Sequence, residues 1–180
     1  MTRRTPALAT AALIWVATTA PGQTAAPPEA DRAKVIESAR EIIDNARFCN
    51  FITLDRDRGH AQARIVAPSA PDADMVIWFA TNSLTRKVGQ IRADPRVTLT
   101  YFDSSDPSYV TILGTAEIVE DAAEKAKRWK DEWAAFYPNG PTGDDFTLVR
   151  VTPTRLEIVS ESRGYSSDPK TWLPAAIEFP

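Results

Sequence analysis

From Asp31 onward, apolar residues recur at three- and four-residue steps: Val35, Ile36, Ala39, Ile42, Ile43 and Ala46, with Glu37, Arg40, Glu41 and Asp44 on the opposite side. That spacing predicts an amphipathic helix with one face to bury. The pattern then shifts to short runs rich in β-branched residues. Residues 48–54 and 62–67 flank a turn over 55–59, where Gly59 supplies the positive φ of a hairpin. Residues 75–80, 96–102, 108–119 and 146–159 bring the count to about six strands. Two helices are predicted between them. One covers 83–93 and is stopped by Asp94-Pro95. The other covers 121–137, with Ala122, Ala126, Trp129, Trp133 and Phe136 on one side and Pro138-Asn139-Gly140 at its end. Strands outnumber helices and hairpin-length spacings dominate. The expected fold is therefore mainly β, a small antiparallel β-barrel with flanking helices.

The first 26 residues do not fit that pattern. Arg3 and Arg4 precede an Ala/Thr-rich stretch holding Leu13, Ile14, Trp15 and Val16, and small residues follow. Charged, apolar, small is the order of an export signal, and the apolar part is short of the roughly 20 residues of a bilayer span. Residues 1–26 are read as the signal, cut between Ala20 and Ala26, and 27–32 as a linker. Thr2-Arg3-Arg4 hints at the twin-arginine route, with the ordinary secretory route left open. The mature chain is then periplasmic or secreted without a stable membrane span; without a working signal it is cytoplasmic.

Composition narrows the chemistry. One Cys and one His among 180 residues leave no disulfide framework and no dedicated Cys/His zinc site, so no metal is expected. They also leave little for His-based catalysis; Cys49 reads as a small buried hydrophobe and His60 as a turn residue. Losing the two signal arginines would take the net charge from −3 to −5, against a nucleic-acid partner. Any chemistry is expected to come from a bound cofactor. No residue stands out as a catalytic acid or base.

The segment 79–91 is the richest in polar function. An apolar strand ending at Phe79 runs into Thr81, Asn82, Ser83 and Thr85, then Arg86 and Lys87. With Ser83 as N-cap, Thr85, Arg86 and Lys87 fall in the first turn of a helix, where free N–H groups already favour an anion. Two cations at that end imply a negative partner such as phosphate, or else a solvated basic turn. Arg64, in an otherwise apolar strand, shares a face with Val66. Facing inward it is a buried charge that needs an anion; facing outward it is an ordinary surface residue.

These residues carry a resemblance. Arg64-Ile-Val, Phe79-Ala-Thr-Asn-Ser-Leu-Thr-Arg-Lys87 and Gln90-Ile-Arg-Ala-Asp-Pro-Arg-Val97 resemble the pyridoxamine 5′-phosphate oxidase-like FMN-binding split-barrel superfamily. Residues 109–117, the Trp129/Trp133 helix and Phe136-Tyr-Pro-Asn-Gly140 are similar to its general-stress-protein branch. The resemblance covers residues 33–160 and implies a six-stranded Greek-key split barrel that forms a homodimer with FMN at the interface. The remaining residues, 161–180, are read as a tail packing on the barrel or on the dimer partner.

By that resemblance Arg64 and Lys87 hold the phosphate, with Thr85 and Arg86 beside them. Ala80 and Thr81 give a backbone-and-hydroxyl contact, Ile65 and Val66 border the isoalloxazine, and Tyr109 takes the place of a flavin-contacting glutamine. Trp133 and Trp172 are candidates to wall the flavin, or pack in the core or dimer instead. The departures concern substrate: Ser69 stands near the oxidase's substrate-phosphate lysine, and Arg163-Gly-Tyr165 is the nearest match to its Arg-x-His element. This speaks against pyridoxamine phosphate oxidation but not against FMN. The resemblance implies an FMN-dependent oxidoreductase acting on a small molecule, reduced by a nicotinamide or deazaflavin donor. The alternatives are a non-catalytic, stress-related flavin module, or a split barrel holding another ligand such as haem.

Overall fold

The structure, a computed structural model, describes residues 29–180, so the expected signal at 1–26 and the first linker residues lie outside them. Helix α1, Glu29–Ala46, begins inside the expected linker; nothing after Pro28 breaks a helix, and Asp31 in its first turn complements the helix dipole. Val35, Ala39, Ile42 and Ile43 are buried from this helix, as the spacing predicts. They join one core with the inward residues of the strands, among them Phe51, Phe79, Leu99, Ile112 and Val151.

Strands β1 (Cys49–Asp55) and β2 (His60–Val66) form the predicted hairpin, with Gly59 at φ 66°. Strand β3 is Ile77–Asn82, β4 is Arg96–Asp103, β5 is Ser108–Val119, β6 is Phe146–Val159 and β7 is Ala175–Glu178. Every pairing is antiparallel and the order runs β2-β1-β4-β5-β6-β3. The sheet curls but does not close. Its end strands β2 and β3 are not paired with each other; the Ser69 N–H donating to the Trp78 carbonyl at 2.8 Å joins the chain that leaves β2 to β3.

Among the described residues seven strands stand where six were expected. The extra strand, β7, lies in the Pro-flanked tail, and its four residues are too few to show a period. It pairs with Arg155–Ile158 of β6, and Ile177 is buried. On the same edge β3 pairs with Phe146–Val151, so one long strand serves two short ones. Pro153 falls between them, where a bulge opposite Leu113/Gly114 spares it a ladder N–H.

Helix α2, Arg86–Ala93, starts later than expected. Ser83 is not its cap. The Ser83 hydroxyl donates to the Asp144 carbonyl, Asn82 Oδ1 accepts from the Leu84 amide, and Thr85 holds the N-cap position. The predicted helix over 121–137 is also broken. Helix α3 is Ala122–Arg128, followed by 3₁₀ turns at Asp131–Ala135 and Gly140–Thr142. In one helix Trp129 and Tyr137 would stand about 12 Å apart along the axis. The break instead brings Trp129, Trp133 and Tyr137 to 5.0, 5.8 and 5.1 Å from the Phe146 ring. These aromatics form a second cluster on the far face of β3 and β6, with Trp78, Val119 and Leu148. Phe136, expected on the inner side, is 75% exposed.

Candidate functional site

Arg64 faces inward from β2. Its Nη1 donates to Thr53 Oγ1 at 2.7 Å and to the Phe51 carbonyl at 3.3 Å, and its Nη2 donates to Gln90 Oε1 at 2.9 Å. Lys87, in the first turn of α2, donates to Thr81 Oγ1 at 2.7 Å and Thr85 Oγ1 at 3.2 Å. Both cations are half-buried, and both are pressed below their ordinary pKa values. Burial is the first cause for each; Arg86 adds repulsion at Arg64, and Arg64 adds it at Lys87. Among the described residues no carboxylate comes within 4.0 Å of Arg64, Arg86 or Lys87. Arg64 and Lys87 are thus met by hydroxyl, carboxamide and peptide oxygens alone, with the exposed Arg86 near enough to repel Arg64.

The site therefore gathers Arg64, Thr81, Thr85, Arg86 and Lys87 as the sequence suggests. Other expected residues lie elsewhere. Ala80 turns its side chain to the aromatic cluster, leaving only its backbone beside Thr81. Val66 packs against the main core, whereas Ile65 is 63% exposed on the outer face. Tyr109 is on that outer face too, paired with Phe102 across β4 and β5, so within one chain it does not meet the cations. Trp133 lines a cleft of about 590 Å³ at the end of β2, with Phe48, Ala67, Ser69 and Tyr101. Trp172 is 79% exposed on the loop before β7.

Three groups escaped sequence reasoning: Thr53, Gln90 and Asp55, all buried. Their signal was present as polar residues on inward positions. Thr53 and Asp55 share the face of Cys49 and Phe51, and Gln90 adjoins buried Ile91 and Val88. The remaining candidates are occupied or inert. Arg163 is spent on Asp106 at 2.5 Å and Glu41 at 3.0 Å, tying α1 to the β4–β5 turn. Cys49 is buried, which pushes its thiol up to about 12 despite the nearby Tyr101 hydroxyl. His60 is exposed where β2 begins.

Comparison with known proteins matches this arrangement to a family. The sequence profile described as "Pyridoxamine 5′-phosphate oxidase like" matches residues 34–165. The chain belongs to that family. Among solved structures, the pyridoxamine 5′-phosphate oxidase-like fold recurs in a Clostridium acetobutylicum protein related to general stress protein 26 of B. subtilis. The TM-score is 0.67 at 21% identity, covering 83% of this chain and 96% of that one. General stress protein 26 from Bacillus anthracis str. Sterne gives 0.61 at 19%, covering 81% and 98%. A pyridoxamine 5′-phosphate oxidase-related, FMN binding protein from Nostoc punctiforme gives 0.52 at 15%, covering 88% and 100%. The curated relative bli-3 of Neurospora crassa is 23% identical over 110 residues, 61% of this chain but 52% of its own length.

Proposed function

We propose that the protein is an FMN-binding flavoprotein, and that it works as an FMN-dependent oxidoreductase on a small molecule. The observation that carries this reading is the pair of half-buried cations, Arg64 and Lys87, that face threonine hydroxyls rather than carboxylates. A phosphomonoester fits them: it carries close to two negative charges and several acceptor oxygens. Lys87 would act as a point charge and Arg64 as a fork, and the Thr81 hydroxyl can turn to donate, whereas the Thr85 hydroxyl already donates to the Asn82 carbonyl at 2.8 Å. The first N–H groups of α2 add partial positive charge from the same side. When bound, the flavin supplies the hydride- or electron-accepting ring. The cleft beyond β2, about 590 Å³, is of a size for a small substrate. Ser69 lines it and Arg163 is held in ion pairs, which supports a substrate other than pyridoxamine phosphate.

A homodimer belongs to the same proposal. Ile65, Phe102 and Tyr109 are exposed on the outer face of β2, β4 and β5, with Leu54 at the other end of the same face, and these apolar side chains suit a second copy. We also place the mature chain outside the cytoplasm, on the strength of its first 26 residues.

The visible absorbance of the purified protein tests the reading. Yellow protein with stoichiometric FMN is the expected result; colourless protein that does not take up added FMN overturns it in favour of another ligand. Bleaching by an anaerobic reductant and recovery with an oxidised small molecule marks an enzyme. Bleaching without turnover of any acceptor marks a flavin carrier.

A further inference from the structure

Arg64 is fixed from the protein side by a neutral group, although a carboxylate lies one residue further back. Gln90 is 9% exposed on the second turn of α2. Its Oε1 accepts from Arg64 Nη2 at 2.9 Å and from the Thr53 hydroxyl at 2.6 Å, while its Nε2 donates to Asp55 Oδ2 at 3.1 Å. Asp55 also accepts from Gln62 Nε2 at 2.8 Å, the Arg58 guanidinium at 3.1 Å and the Arg58 amide at 3.1 Å. The Arg58 amide first, then its guanidinium and Gln90, hold that carboxyl below its ordinary pKa against the effect of burial.

The partners set the direction of the Gln90 amide. Flipped, its NH₂ would face the Arg64 guanidinium and its oxygen the Asp55 carboxylate, so both charged contacts would be repulsive, although the Thr53 hydroxyl could turn to accept. Only a carboxamide presents an acceptor to the cation and a donor to the anion. A carboxylate at this position would pair with Arg64 and cancel its charge. An apolar side chain would leave the guanidinium loose and Asp55 short of a donor.

We propose that Gln90 is a positioning residue of the anion grip: a neutral spacer between Asp55 and Arg64 that orients the guanidinium and leaves its charge available to a ligand phosphate. This inference rests on reading the grip as the FMN phosphate site. It adds to that reading a reason why residue 90 must be both polar and uncharged.

The test compares FMN with riboflavin, which lacks the phosphate, by fluorescence titration of the full flavin-free chain. Wild type, Arg64→Ala, Gln90→Glu and Gln90→Met are measured, with melting temperatures recorded alongside. In Gln90→Glu the FMN affinity falls about tenfold or more while riboflavin affinity shifts less than about twofold. Gln90→Met loses about threefold for FMN alone, because the fork is loosened and not neutralised. If Gln90→Glu does not fold, Gln90→Met carries the comparison. A parallel fall for both flavins would make Gln90 merely structural and overturn the inference. So would an unchanged FMN-to-riboflavin ratio in both variants while Arg64→Ala abolishes it. Wild type binding both flavins equally, or neither, would instead overturn the phosphate-site reading itself.

Discussion

Lys87 concentrates the tension between stability and binding in a single side chain. Burial and the neighbouring Arg64 charge lower its pKa, so in the ligand-free fold its protonated form is disfavoured relative to the unfolded chain. Between the lowered value and 10.5 the unfolded chain holds a proton that the folded chain lacks. Stability from this group therefore rises as pH increases through that window. A bound phosphate restores the proton and removes the slope. Lys87→Met is expected to raise the melting temperature of the flavin-free protein at neutral pH by about 2 °C, the gain being limited by solvent screening. The same variant loses about tenfold or more in FMN affinity. Thermal scans and flavin titration read the two effects, and a drop in both would refute this account.

Asp94 is the opposite case at the same scale. Its amide caps α2 on the Gln90 carbonyl, and its buried carboxylate accepts from Arg96 at 2.6 Å and from Arg56 at 3.2 Å, Arg96 foremost holding it far below the carboxylate range. Its contribution is complete above the ordinary carboxylate pKa and is lost as pH falls through the lowered folded value. Asp94→Asn should melt earlier than wild type at pH 7. The gap should narrow in melts taken below about pH 4, where the unfolded chain's carboxyl takes up a proton that the folded one still refuses.

Among the elements, β5 and β6 depend on one glycine. A Cβ at Gly114 would meet the Thr152 carbonyl oxygen at 2.3 Å, and both groups belong to paired backbones. Gly114→Ala must part the strands at the bulge, with an expected loss of about 2–3 kcal/mol in chemical denaturation. The same residue in a sequence reads only as a weak spot in a strand, because the oxygen it accommodates is 38 residues away in the chain. The buried face of helix α1 was legible, since its stripe repeats over about three turns, although the helix itself starts at Glu29, inside the expected linker. The 121–137 segment was not. Its aromatics at four-residue steps fit a helix, but three rings could converge on Phe146 only by breaking it. Local periodicity records which residues seek burial, and the shape of the receiving surface decides how the backbone delivers them.

For the whole molecule, the open split between β2 and β3 leaves room for a ligand in a sheet that would otherwise close. The apolar outer face would be covered by the proposed second copy. Phe102→Glu and Ile65→Glu together should convert a dimer into a monomer in sedimentation velocity, because each places a charge on that face where an exposed apolar side chain now stands. Flavin retention measured on the same sample shows whether binding needs both copies. A variant that stays dimeric would move the interface elsewhere.

Hydrophobic alternation, helical spacing and turn glycines are local quantities, and they determined the β-rich class, the hairpin, the first helix and the cationic run at Arg86 and Lys87. The proposed anion grip was also readable in part, because a strand running into Thr81, Thr85 and Lys87 is contiguous in the chain. Only the tertiary structure decided that Arg64 faces inward to meet that run, that Gln90 rather than a carboxylate holds it, and that Arg163 is committed to ion pairs. Each of these joins residues 17 or more positions apart. Such contacts depend on strand register and sheet curl, which no period within one segment encodes.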